Sequence, residues 1–182
     1  MEGFVASAMV TLLLSPAFVV SRLGAPGGPL KFPREEFDVT KVFSWIEDLV
    51  SIADSDNDTI LECLYAKRTE FNPETYETTI TWFFPSQGTE LPFYVYPGSG
   101  PGMVEFTSPG DPTPKEAIVY YTDYNNCLVA DVEFHGHQCS LWVVRQLKDA
   151  VPQDCIDHFV DTCGVIVPEH SRDLCIDGEG DY

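Results

Sequence analysis

The side chains of this sequence best suited to chemistry include three alternating aspartates. Asp54, Asp56 and Asp58 repeat the D-x-D-x-D pattern that opens a calcium-binding loop. Such a loop continues with a glycine at its sixth position and a glutamate at its twelfth, where this chain has Thr59 and Tyr65. Because both required residues are missing, we expect a solvated polar turn rather than a calcium site.

Two histidines and one serine are the other candidates for chemistry. His135 and His137 flank Gly136, but no third ligand stands nearby, so we expect a turn and no metal. Ser99 lies in a Gly- and Pro-rich loop that lacks the G-x-S-x-G pattern of a nucleophile elbow. No Ser/His/Asp or Cys/His set stands out, so an enzyme is the weakest hypothesis and no cofactor is expected.

The N-terminus indicates secretion. Residues 4–20 form an apolar run interrupted by Pro16, with a cleavage point after Ser21, although no Lys or Arg precedes the run. The rival reading, a membrane anchor, requires a longer apolar run. We therefore predict a signal peptide over 1–21, a flexible Gly- and Pro-rich arm over 22–37 and one domain over 38–182.

The six cysteines fit this compartment. An even number of cysteines behind a secretory signal implies disulfides, and the count alone leaves their pairing open. No Cys-x-x-Cys pair is present, which disfavours zinc and redox chemistry. Asn57 begins an N-x-T sequon, so we expect it to carry a glycan in an exposed loop.

The net charge limits the partners. The chain has 29 acidic and 10 basic residues, a formal net charge of −19. Nucleic acid and anionic membrane surfaces are disfavoured, because both are bound through Lys and Arg. A cationic ligand would be attracted, although solubility alone also explains the charge. After removal of the signal we expect a soluble monomer.

The sequence of the domain predicts short strands at the spacing of β-hairpins. We count about eight of them, including strands over 59–69 and 75–84, which indicates a β-sandwich or a barrel. Asp38 is placed to cap a short N-terminal helix. Residues 152–163 have helical periodicity, with Gly164 as the stop.

Residues 120–144 form the most informative stretch, a hairpin of two alternating strands. We favour a loop over 135–137 with Gly136 at positive φ, which pairs Ala130 with Trp142. A two-residue loop would mix the two faces. Cys127 and Cys139 then share the outer face with Asp131 and Glu133. The inner face is nearly apolar and comprises Leu128, Ala130, Val132, Phe134, Ser140, Trp142 and Val144.

Residues 116–175 resemble the secreted salivary lipocalins of ticks. The similar motifs are YTDYNNC at 121–127, CSLW at 139–142 and VPQDC at 151–155, followed by Phe159 and the pair Cys163-Gly164. The resemblance implies an all-β fold: an eight-stranded antiparallel lipocalin barrel with a short N-terminal helix, a C-terminal helix packed outside and a ligand inside. It also implies disulfides Cys63–Cys175 and Cys127–Cys155, which leaves Cys139–Cys163 as the third.

One departure from that family bears on the ligand. Members that bind histamine or serotonin are similar in a Cys-Asp-[Val/Ile/Leu] motif and a Glu-Leu-[Trp/Tyr] motif, whose two acids meet the ligand's ammonium. The corresponding positions here are Leu128 and Ser140. Because an unpaired cation is very costly to bury, this departure predicts an apolar ligand.

The favoured function is therefore sequestration of a small host mediator, a lipid or eicosanoid, inside the barrel. One alternative is a biogenic amine, histamine or serotonin, held by acids elsewhere in the barrel. Another is a barrel filled by side chains that acts by surface binding to a host protein of inflammation, complement or clotting. The residues predicted to contact the mediator are Trp82, Phe84, Tyr120, Leu128, Val132, Phe134, Ser140 and Trp142.

Overall fold

Eight antiparallel strands close into a barrel. The computed structural model describes Phe32, residues 35–56, 58–164 and 166–170, and Cys175, so the predicted signal peptide and Asn57 lie outside the described residues. The first strand pairs with both the second and the eighth, which closes the sheet and confirms the predicted barrel. The strands are β1 (Asp48–Asp54), β2 (Tyr65–Phe71), β3 (Thr78–Phe84), β4 (Thr89–Pro97), β5 (Met103–Ser108), β6 (Asp111–Thr122), β7 (Cys127–Glu133) and β8 (His137–Val144), with a short β9 (Val167–Pro168) on the end of β1.

A short helix, α1 (Val39–Trp45), lies at one end of the barrel. The Asp38 side chain accepts a hydrogen bond from the Thr40 amide and so caps its first turn, as the sequence predicts. α1 buries Val42 and Phe43 against the barrel interior. Arg68 of β2 donates to the carbonyl of Phe43 at 2.7 Å, which joins the helix to the barrel wall.

The second helix, α2 (Gln153–Cys163), packs on the outside of β7 and β8. Its Phe159 is fully buried in a cluster separate from the barrel interior. Two disulfides, Cys127–Cys155 and Cys139–Cys163, join the helix to these strands, in the pairing that the resemblance implies. A short 3-10 helix (Arg145–Leu147) precedes α2. Among the described residues, neither α-helix is long and apolar enough to cross a bilayer.

The central hairpin has the predicted faces but a different register. Its loop comprises residues 134–136 rather than 135–137, so Ala130 pairs with Ser140 instead of Trp142. Phe134 leaves the ladder, its amide donating to the Val132 carbonyl, and positive φ falls on both His135 and Gly136. Because each residue's partner moves by two positions, inner and outer faces stay as predicted.

The other end of the barrel is covered by residues 58–64, which we call the closing turn. The sequence predicts a strand here, but Thr59 and Cys63 adopt positive φ, which a strand excludes, and β2 begins only at Tyr65. Leu61 and Leu64 are fully buried in the barrel core. The Cys63–Cys175 disulfide joins the closing turn to the C-terminal segment.

Candidate ligand-binding site

An apolar cavity of about 100 Å³ lies inside the barrel. Trp82 and Trp142 form part of its wall, with ring centroids 5.4 Å apart. Val42 and Phe43 of α1, with Ile46 just after the helix, line it from one end. The full lining is Val42, Phe43, Ile46, Leu49, Ala66, Ile80, Trp82, Phe93, Val95, Val104, Phe106, Ala117, Val119, Leu128, Ala130, Val132 and Trp142.

The residues predicted to bind the mediator fall into three groups. Trp82, Leu128, Val132 and Trp142 line the cavity. Phe84 and Phe134 belong to an adjoining aromatic cluster, with ring centroids 6.4 Å and 5.1 Å from that of Trp82. Ser140 and Tyr120 form the third group, which does not line the cavity.

Ser140 and Tyr120 differ in their placement. Ser140 is fully buried on the inner face, and its hydroxyl accepts a hydrogen bond of 2.8 Å from Trp142 Nε1. The hydroxyl thus orients the indole that walls the cavity. Tyr120 instead is half-buried on the outside, where it packs with the cluster beneath α2. The predicted role of Tyr120 in the pocket therefore does not fit its position, because a register shift beside it interrupts the alternation of β6.

The histidine pair stays at the exposed hairpin tip. His137 Nδ1 lies 3.4 Å from a carboxylate oxygen of Asp131, and the ring of His135 packs edge-on against Phe134. Asp131 is on the outer face, as the sequence predicts, but it is 4% exposed, and burial raises the pKa of its carboxyl. Glu133 is exposed at the end of β7.

Asp54, which the sequence places in a solvated polar turn, is instead buried on the inner side of β1. Its Cα pairs with that of Ser140, whereas Ser51 pairs with Trp142, so both β1 residues face the barrel interior. An extra residue, Ile52, makes a β-bulge between them. Simple alternation from Ser51 would have turned Asp54 outward. Among the described strand residues of the barrel, Asp54 is the one buried carboxylate that faces inward.

The Asp54 carboxyl is only half satisfied by hydrogen bonds. The side chain is 1% exposed, and Oδ1 accepts from the Ser55 amide at 2.6 Å. Oδ2 has no hydrogen-bond partner among the described residues. The pKa of Asp54 is raised to about 7, mainly by burial and in smaller part by the charges of Asp56, Asp58 and Asp131. A cation beside Oδ2 would remove both penalties, since it supplies a partner and an opposite charge.

Because of this environment, we expect Asp54→Asn to raise the free energy of unfolding at high pH. Because the folded-state pKa of about 7 lies above that of an unfolded aspartate, the folded protein binds the proton more tightly. Wild-type stability from this group is thus present at low pH and is lost as pH rises toward 7. The neutral asparagine escapes that loss, a gain of at most about 1.4 kcal/mol per pH unit.

Urea unfolding in EDTA at about pH 4 and about pH 8 tests this prediction. The stability difference between Asp54→Asn and wild type should favour the variant more at the higher pH. A difference that does not change with pH would contradict the buried, proton-binding state of Asp54.

Comparison with models of known protein families shows which family the chain is related to. The family model for the tick histamine binding protein matches residues 50–169, which is more than half of the sequence. The chain belongs to the tick histamine-binding protein family. The protein is therefore a lipocalin-type binding protein of the tick histamine-binding family.

Solved structures show the same fold. The crystal structure of AM182 in complex with serotonin aligns with a TM-score of 0.60 at 18% identity, covering 78% of this chain and 94% of AM182. Lipocalin 12 from rat epididymis, solved by NMR, aligns with a TM-score of 0.50 at 13% identity, covering 76% and 86% of the two chains. A search of curated protein sequences gives no significant match.

The preference for a lipid or eicosanoid that the sequence indicated is not supported. That preference depended on a barrel interior without acidic side chains. Leu128 and Ser140, which stand where the family's two acids would be, are indeed uncharged. Asp54 nevertheless brings a carboxyl to the inner face. The cavity of about 100 Å³ is also small beside the ~300–1,000 Å³ of pockets that hold drug-sized ligands. A biogenic amine fits this tick histamine-binding family member better.

Proposed function

We propose that the protein is secreted and sequesters a biogenic amine inside its barrel, with Asp54 as the partner of the amine's ammonium. The inward, buried and unpartnered Oδ2 of Asp54 is the observation that carries this proposal. A buried ammonium requires a compensating charge and a hydrogen-bond acceptor. Asp54 supplies both, in place of the two motif acids that this chain lacks.

The aromatic interior supports the same ligand class. Trp142 lines the cavity and points its indole N–H toward Ser140, which is the Cα partner of Asp54. An amine with a small aromatic ring would place the ring against Trp142 and Trp82 and its ammonium at Asp54. Apolar cavities of ~150 Å³ can hold a benzene ring, so a cavity of about 100 Å³ is on the scale of one small ring.

Electrostatics favour an amine over a fatty acid or eicosanoid. The chain carries a formal net charge of −19, which raises the local concentration of small cations near the protein. A fatty acid or eicosanoid carries a carboxylate of its own, which this charge would repel and the Asp54 carboxylate would oppose inside the barrel. Three disulfides among the described residues support the secreted location, because such bonds persist in oxidising compartments.

Calorimetric titration of the disulfide-bonded protein in EDTA tests the proposal. Histamine or serotonin should bind saturably, with a Kd in the micromolar range or below, and should change the fluorescence of Trp82 and Trp142. A matched ligand is the alcohol analogue of histamine, in which a hydroxyl replaces the ammonium. That analogue should bind at least about 100-fold more weakly, since it cannot pair with Asp54. Micromolar binding of a fatty acid without any amine binding would overturn the proposal.

A further inference from the structure

Three carboxylates converge where β1 leads into the closing turn. Asp54, Asp56 and Asp58 each have one carboxylate oxygen that lies within 4.8 Å of an oxygen of the other two. Asp54 is buried, whereas Asp56 and Asp58 are exposed. The cluster thus extends from solvent to the barrel interior, and an ion could reach it from outside.

A buried amide from a distant strand joins this cluster. Gln138 of β8 is 1% exposed, and its Nε2 donates to Asp58 Oδ2 at 2.9 Å. Within the part of the chain that the structure describes, its Oε1 has no hydrogen-bond partner, and neither does Asp54 Oδ2. Leaving a buried oxygen without a partner costs about 1–3 kcal/mol. The two atoms belong to residues that both adjoin Asp58, which indicates that a binding partner is missing beside this cluster. Rotation of the amide by half a turn would bring Oε1 toward Asp58, which is favourable only with a cation between them.

Among the described residues, the charges that act on the buried carboxyls of this cluster are negative. The charged groups that act on Asp54 are Asp56, Asp58 and Asp131. The nearby buried Glu169 is held in place by its backbone, which bonds to Ile52 and Cys63 at 2.9 Å each. The charges that act on Glu169 are in turn those of Asp54, Asp56, Asp58 and Glu62. Carboxylates held this close by backbone bonds favour the binding of a positive ion.

We propose that Asp54, Asp56, Asp58 and Gln138 form a binding site for a divalent cation of the calcium class. Carboxylate and amide oxygens are the ligands that Ca²⁺ takes, at ~2.3–2.6 Å, and ligand oxygens on one such ion lie up to about twice that distance apart. Carboxylate oxygens that lie within 4.8 Å of one another fit inside this span. Gln138, 80 residues from Asp58 in sequence, supplies a ligand from outside the D-x-D-x-D loop.

The cation site does not depend on the proposed amine function, but the cation site and the amine site share Asp54. Only Oδ2 of Asp54 is without a partner, so a metal ion and an ammonium should exclude each other there. Calcium would then weaken amine binding by competition. The metal site itself can be measured in the absence of any amine.

The first test measures calcium binding by the disulfide-bonded, amine-free protein. Calorimetry with CaCl₂ should give one site with a Kd of about 10⁻⁴–10⁻³ M, the range of extracellular calcium modules. Calcium should also raise Tm above that in EDTA at matched ionic strength. Asp56→Asn should weaken calcium binding at least about tenfold. Glu74→Gln, which removes an exposed acid at the opposite end of the barrel, should leave it unchanged. No saturable calcium binding, or equal binding by wild type and Asp56→Asn, would overturn the site.

The second test measures the competition. Calcium at ten times its Kd should raise the apparent Kd of histamine about tenfold for wild type. Asp56→Asn should keep its histamine affinity in EDTA and lose most of the calcium effect. Calcium binding that leaves the histamine Kd unchanged would overturn the sharing of Asp54. If no amine binds at all, the proposed function fails while the first test still decides the metal site.

Discussion

Asp54→Asn is expected to weaken histamine or serotonin binding by at least about 100-fold. Removing one partner of a buried ion pair costs about 3–5 kcal/mol, because the other charge is left buried without compensation. Each 1.4 kcal/mol corresponds to a tenfold change in affinity. Asparagine is neutral, and no other buried carboxylate faces inward from the described barrel strands. Calorimetry in EDTA, which removes any competing metal ion, measures the change.

Asp131→Asn is the matched control for this experiment. Asp131 is also a buried aspartate, and its charge acts on Asp54, but it lies on the outer face of the barrel. Its substitution makes the same change of charge and should alter amine affinity by no more than a few-fold. We expect the Asp54→Asn variant to fold, since the substitution removes a destabilising buried charge. Equal losses of affinity in the two variants would show that net charge, rather than a direct contact with Asp54, governs binding.

Replacement of both Cys63 and Cys175 by alanine is expected to lower the free energy of unfolding by about 4–5 kcal/mol. This disulfide joins residues 112 positions apart, and a longer closed loop restricts the unfolded chain more. It also anchors the closing turn, whose Leu61 and Leu64 are fully buried in the core. Urea denaturation followed by tryptophan fluorescence measures the loss.

The disulfide between Cys139 and Cys163 is the comparison for this prediction. Its residues are 24 positions apart, so the same model gives a smaller loss of about 3–4 kcal/mol on double alanine replacement. Removing this bond loosens α2 on the outside of the barrel and leaves the Cys63–Cys175 link of the closing turn intact. A larger loss for this pair than for Cys63 and Cys175 would contradict the order that loop length predicts.

The sequence by itself determined the architecture. Alternation with a period of two over residues 127–144 assigned the inner and outer faces correctly, although the loop was displaced by one residue. That error did not change the assigned faces, because successive side chains of a strand point to opposite faces and each residue's partner moved by two positions. The cysteine spacing resembled a known family, and the three disulfides of the structure have the pairing this resemblance implies.

Only the tertiary structure decided which charges meet. A single extra residue at Ile52 reverses the direction of Asp54, and nothing in a local pattern of polar and apolar residues marks that bulge. The positive φ of Thr59 and Cys63 bends a strand-like sequence into the closing turn. Gln138 reaches Asp58 only because β8 pairs with β1 in the closed barrel. Sequence patterns report a residue's immediate neighbours, whereas the electrostatics of a site depend on groups that the fold brings together from distant positions.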